Sequence, residues 1–256
     1  MAAHRAIHRR SISVTTSLWR RTGAELLGTY ALVTAGCGAI IVNSITGALT
    51  HVGVALTFGL IITVMIAATG HLSGAHFNPA VTLAFALARH FRWRDVPFYM
   101  ASQLAGAVLG ALTLRLFFGS VANLGTTLPH GSPLQSLGME TLLTAVLMFV
   151  IISVATDTRA VGELAALAIG ATVALDALWG GPISGASMNP ARSFGPALVA
   201  GIWNDQWIYW LGPLVGACIG AALYQWLRHP SVESSGLPHV PRKGTVQEQK
   251  KTSTTR

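Results

Sequence analysis

A short apolar segment occurs twice in this chain, and neither copy is long enough to cross a bilayer. The first, SGAHFNPAVTLAFAL, runs from Ser73 to Leu87; the second, SGASMNPARSFGPAL, runs from Ser184 to Leu198. Superposed, they agree at eight of fifteen positions and bring Asn78 and Asn189 into register. A spanning helix needs about 20 predominantly apolar residues, yet from Pro79 only ten residues run before the first arginine, Arg89. Asn-Pro-Ala is also a helix start. Asn78 can act as N-cap, its side-chain oxygen accepting a first-turn N–H. Pro79 at the first helical position gives up a donor that had no partner there anyway. Asn189 and Pro190 repeat the arrangement. Each copy predicts a half-helix of about 15 Å, half of a hydrocarbon core roughly 30 Å thick.

Six longer apolar runs surround these segments, near Gly23–Asn43, Val52–Gly70, Pro97–Gly119, Leu137–Thr156, Val161–Gly181 and Trp207–Leu227. Only 10% of the residues are charged against 52% hydrophobic. A soluble domain carries about a quarter charged, so the chain reads as an all-α polytopic membrane protein. Its net charge of +8 first suggests nucleic acid. The cations, however, lie mostly ahead of run one, in Arg89, Arg92 and Arg94, in Arg159, and beyond run six, while the connections Ser44–His51 and Ser120–Ser136 hold no Lys or Arg. That asymmetry is an orientation signal placing both termini in the cytoplasm, and no nucleic-acid partner is expected. Residues 1–22 read as a cytoplasmic tail and 229–256 as a polar, disordered one. No apolar stretch precedes the first basic residues, so no cleaved signal peptide is expected. Cys37 and Cys218 fall in apolar runs and read as small buried hydrophobes. No nucleophile–base pair or metal-ligand set stands out, so neither an enzyme nor a cofactor is expected.

The runs repeat as well. Glu25 opens the first within GAELL and Glu140 the fourth within GMETL. Each half is span, span, half-helix, span: repeat one over 23–119, repeat two over 137–228. Three spans is an odd number, so the second half enters from the opposite side, and such a repeat places its site near the midplane. The two half-helices then meet N-terminus to N-terminus. Their lead-ins, Gly74-Ala75-His76 and Gly185-Ala186-Ser187, lie within the membrane, where irregular backbone survives only inside protein or beside a water-filled cavity. Their carbonyls form a ladder of acceptors. After capping, each asparagine amide keeps two N–H donors. A narrow pore with such a waist suits a small neutral molecule that donates and accepts, and two positive helix ends disfavour cations. Arg192, at the third helical position, reads as a pore-lining donor and cation barrier.

These paired motifs, SGAHFNPAVT and SGASMNPARSFGP in a six-span inverted repeat, resemble the aquaporins, or major intrinsic proteins, in a bacterial-type form. The resemblance covers about residues 20 to 228. It implies a right-handed bundle of six transmembrane helices plus two re-entrant half-helices, an aquaporin-like channel domain over 23–228, a homotetramer in a cell-membrane bilayer, and passive transport. It implies pore motifs at Asn78, Pro79, Ala80 and Asn189, Pro190, Ala191. Glu25 and Glu140 would hold the re-entrant loops through backbone amides, the alternative being protonated buried acids. A selectivity filter carries over to Phe58, Ala177, Ala186 and Arg192. Strict water channels usually have His where Ala177 stands, so the filter should be wider and less polar. Glycerol facilitators usually have Asp after the Arg, where this chain has Ser193. Ala197, Tyr209 and Trp210 resemble the water-selective pattern, and Phe118 the solute-permeable one. The expected function is a passive channel for water and small neutral solutes such as glycerol, urea or peroxide, excluding protons and ions. The alternatives are a channel mainly for glycerol-like solutes, or a secondary transporter, for which the midplane offers no coupling group.

Other residues receive structural readings. His71 and His76 pack, His76 lending its carbonyl to the pore. Asp176 is a buried, hydrogen-bonded acid. Arg115 snorkels to headgroups, and Glu163 lies in or near water at the inner end of span five. Gly28, Gly59 and Gly106 permit close helix crossings. Trp203, Trp207 and Tyr209 form an interfacial belt.

Overall fold

Backbone in a bilayer has no water to bond, so apolar runs of this length fold as helices. The computed structural model describes residues 16–157, 159–160 and 164–228. It contains α1 (Leu18–Thr46), α2 (Thr50–Ser73), α3 (Pro79–Leu87), α4 (Val96–Phe118), α5 (Pro133–Thr156), α6 (Ala165–Ser184), α7 (Pro190–Ala200) and α8 (Ile208–Leu227). Among the described residues six of these are long and apolar enough to cross a membrane; α3 and α7, of 9 and 11 residues, are not. Residues 1–15 of the first tail, the whole of the second, and Glu163 fall outside the described residues, while α1 takes up the end of the first tail from Leu18.

Helix ends depart from the apolar runs where local chemistry extends them. α1 begins at Leu18 rather than near Gly23, because a first turn reaching the interface can be polar. α5 begins at Pro133 rather than near Leu137: Ser132 caps it by accepting from the Gln135 N–H, and Pro133 takes the first position.

The outer surface is apolar, with Leu60, Leu116, Phe117 and Trp226 all exposed, while Glu25, Asn78, Gln103, Glu140, Asn189 and Arg192 are buried. This polarity, greasy outside and polar within, is what a lipid solvent selects.

Within the halves, α1 packs on α4 and α5 on α8; α2 and α6 join the halves. The same glycine contacts recur in both. A Cβ on Gly106 of α4 would run into the Leu26 carbonyl of α1, and one on Gly216 of α8 into the Thr141 carbonyl of α5. Gly110 and Gly220 repeat the pattern one turn on, against the carbonyls of Tyr30 and Ala145. Small residues at these crossings let backbones approach closely. Gly59 does the same between α2 and α6, facing the Gly170 carbonyl. Gly28 differs from its expected role: its missing side chain accommodates the Phe77 ring of the first lead-in rather than a crossing helix.

Candidate functional site

Each short helix is started by its asparagine. Asn78 Oδ1 accepts from the Ala80 N–H at 2.9 Å, and Asn189 Oδ1 accepts from Ala191 at 2.9 Å and Arg192 at 3.3 Å. Pro79 and Pro190 occupy the first helical positions. Ahead of each cap the chain turns through left-handed backbone: Gly74, Ala75 and Phe77 in one copy, Gly185, Ala186 and Met188 in the other, all have positive φ. Non-glycine residues in that region cost free energy and persist only where surroundings impose them.

Two buried carboxylates supply that imposition. Glu25 Oε1 accepts from Ser73 Oγ at 2.7 Å and the His76 N–H at 3.0 Å, while Oε2 accepts from the Phe77 N–H at 2.7 Å and Gln103 Nε2 at 2.8 Å. Glu140 Oε1 accepts from Ser184 Oγ at 2.7 Å and the Ser187 N–H at 2.9 Å, and Oε2 from the Met188 N–H at 2.7 Å. Each carboxylate oxygen receives at least one N–H, a group that can only donate, which suits an acceptor-only carboxylate. Two tyrosines hold the ends of the preceding helices: Tyr99 donates to the Ser73 carbonyl and Tyr209 to that of Ser184, each at 2.7 Å. Tyr209 is therefore fully buried and not part of a belt, whereas Trp203 and Trp207 are exposed.

The two lead-ins are also tied to each other. Asn78 Nδ2 donates to the Met188 carbonyl and Asn189 Nδ2 to that of Phe77, both at 2.8 Å. The amides were expected to keep two free donors each; one of the two is spent across the midplane, leaving one. The N-termini of α3 and α7 thus face each other over this pair of bonds.

A cavity of about 70 Å³ runs past these groups. Asn78, Asn189, Phe58, Ala177, Ala186 and Arg192 all line it, as do Gly74, Ala75, His76 and Ser187. Gly185 does not; a Cβ there would face Thr127. Pro79, Ala80, Pro190 and Ala191 are buried behind the wall. Phe77 and Met188, not singled out in the sequence, do line it. Much of the remaining lining is apolar, including Ile62, Leu147, Ile169 and Val173. Arg192 is buried, donates through Nη1 to the Gly125 carbonyl at 2.8 Å, and lies over the Phe58 ring at 5.1 Å. Its Nε has no protein partner.

This constellation has counterparts elsewhere. The family model for "Major intrinsic protein" matches residues 12–224. The chain belongs to the major intrinsic protein family. It is 56% identical over 207 residues to Aquaporin NIP1-1 of Oryza sativa subsp. japonica, covering 80% of this chain and 73% of that one. To Nodulin-26 of Glycine max it is 47% identical over 225 residues, 87% and 83% of the two chains. The solved aquaglyceroporin from Plasmodium falciparum superposes with a TM-score of 0.70 at 28% identity, over 82% of this chain and 95% of that one. This major intrinsic protein is accordingly a multi-pass membrane channel, passive and not an enzyme.

Two side chains of the major intrinsic protein sit differently from expectation. Arg115, expected at the interface, donates through Nη1 to the Val199 carbonyl near the end of α7, where helix carbonyls lack partners. Asp176 is buried, but its Oδ2 has no hydrogen-bond partner. His76 packs as expected, stacked on Phe85 at 4.8 Å, with Nδ1 3.1 Å from Thr82 Oγ1. Gln103 escaped the sequence reading because a lone Gln in an apolar run carries no periodic signal.

Proposed function

We propose that water and small uncharged, hydroxyl-bearing solutes move in single file along this cavity, with Phe58, Ala177, Ala186 and Arg192 as the filter and the Asn78–Asn189 pair as the waist. One observation carries the reading: all six residues, contributed by both halves, line one cavity together with the lead-in residues and a set of apolar side chains. A molecule that keeps replacing its hydrogen bonds on the polar groups while its carbon skeleton slides along the apolar ones fits such a channel. Ala177 leaves the filter without an imidazole and supports passage of solutes larger than water. The likeness to the aquaglyceroporin from Plasmodium falciparum agrees with this.

Cations meet the positive ends of α3 and α7 and the fixed guanidinium of Arg192. Glu25 and Glu140 act behind the wall as anchors of the lead-ins. The protein further assembles as a homotetramer in the cell membrane, with both termini cytoplasmic; the basic residues of Arg89–Arg94 and Arg228, with no Lys or Arg between Ser44 and His51, support that orientation. Proteoliposomes swollen in an iso-osmolar glycerol gradient test the solute range. Faster re-swelling than in protein-free vesicles is the expected result. Identical traces, with water flux raised, would restrict the channel to water.

A further inference from the structure

α6 contains Pro182, four residues beyond Leu178. In a regular helix residue 182 would donate its N–H to the Leu178 carbonyl, and proline has none to give. Within a membrane an orphaned carbonyl is satisfied by some neighbouring group. Here the neighbour is His51, in the first turn of α2, whose Nε2 lies 2.8 Å from the Leu178 oxygen. A carbonyl only accepts, so Nε2 is the donor. Gly181 leaves room for the ring: a Cβ there would come within 2.7 Å of His51 Cε1.

This bond crosses the seam between the halves. α2 and α6 belong to different repeats and pack directly on each other. His51, Ala55, Gly59 and Ile62 follow one another at helical spacing on α2; Ala55 is buried and Gly59 meets the Gly170 carbonyl of α6. Phe58 stands two turns along from His51 on the same helix, and Ala177 immediately precedes Leu178. One hydrogen bond therefore ties the backbone beside one filter position to the start of the helix bearing the other.

We infer that His51 is a positioning residue for selectivity: by donating to the carbonyl that Pro182 orphans, it fixes the separation of Phe58 and Ala177. The inference rests on reading those two residues as filter positions. Pro182→Ala provides the decisive background, because it restores an internal donor for Leu178 and makes His51 dispensable there.

The full-length protein is reconstituted and glycerol and water permeabilities are measured in the same vesicles. His51→Ala should raise the glycerol-to-water ratio about two- to threefold, the scale of a partial loss of one net hydrogen bond. In the Pro182→Ala background the same substitution should leave the ratio unmoved. A ratio that holds or falls in His51→Ala, or an equal rise in both backgrounds, overturns the inference. Should His51→Ala fail to assemble, His51→Leu, which keeps bulk beside Gly181 without the donor, carries the same expectation. Ala177→His, run alongside, separates the two levels. If it leaves the ratio unmoved, the filter reading fails. If it moves the ratio and the His51 variants do not, only the role of His51 fails.

Discussion

Tyr99 and Tyr209 occupy equivalent places in the two halves but carry unequal loads, and that inequality is measurable. Each hydroxyl donates to the last carbonyl of a spanning helix, Ser73 or Ser184, at 2.7 Å. Tyr99 also accepts from Arg21 Nε at 2.9 Å; among the described residues Tyr209's hydroxyl bonds the Ser184 carbonyl alone. Replacing Tyr by Phe keeps the ring and deletes only these bonds. Tyr209→Phe removes one neutral hydrogen bond, about 0.5–1.5 kcal/mol. Tyr99→Phe removes such a bond plus one from a guanidinium, and Arg21 retains Asp95 at 3.0 Å and some solvent, which keeps the second contribution near the low end of about 1.5–3 kcal/mol. The sum for Tyr99→Phe is about 2–4 kcal/mol. Domains of this size lose about 2–4 °C of melting temperature per kcal/mol, so midpoints should fall by roughly 4–16 °C for Tyr99→Phe and 1–6 °C for Tyr209→Phe. Thermal denaturation in one detergent, followed by size-exclusion of the folded fraction, reads both. A cycle with Arg21→Met should show a coupling of about 1 kcal/mol between positions 21 and 99. Equal losses in the two Phe variants, together with additivity in that cycle, would refute the reasoning.

Other outcomes follow from the same structure. Gly220→Val drives a branched side chain into the Ala145 carbonyl, and the thermal midpoint should fall by the equivalent of at least about 1–3 kcal/mol; Gly23→Ala, with nothing within 4 Å of the added atom, should be neutral or slightly stabilising. Asp157 is held well below the usual carboxylate range, first by the Arg159 side chain, then by the Arg159 N–H and Tyr224. A depressed folded pKa gives stability that is full above the unfolded value of about 4 and lost as pH falls through the folded one. Asp157→Asn should therefore melt lower than the parent at pH 7, with the gap closing on strong acidification; a gap independent of pH would contradict this. Arg192→Ala removes the fixed cation over Phe58 and should speed proton leak under a pH gradient several-fold, read by a dye trapped in vesicles.

How much of this could be read from the sequence depended on whether the determining interaction was local. The half-helices were legible because Asn-Pro-Ala carries its own cap and its own first turn. The inverted repeat was legible because Glu25 and Glu140, and the two motifs, recur in register. What partners the asparagine amides was not, since each donates to the other half across more than a hundred residues, and nothing near Phe77 or Met188 marks their carbonyls as acceptors. Arg115 looked like an interfacial cation by its place near a span's end. Only the fold brings the Val199 carbonyl within its reach. Tyr209 was drawn to the belt by its tryptophan neighbours, although its hydroxyl has a buried carbonyl to satisfy. Asp176 shows the reverse: burial was legible, while the missing partner of Oδ2 was not.

The central claim is that a neutral, hydrogen-bonding path runs past two facing helix N-termini that exclude charge. Osmotic water permeability and proton flux, recorded by stopped flow on one batch of vesicles with the full-length protein, test it most directly. The expected result is water flux well above that of protein-free vesicles, non-saturating and independent of ion gradients, with proton flux at the protein-free level. Water flux equal to that of empty vesicles, or flux that saturates and follows an ion gradient, would contradict it.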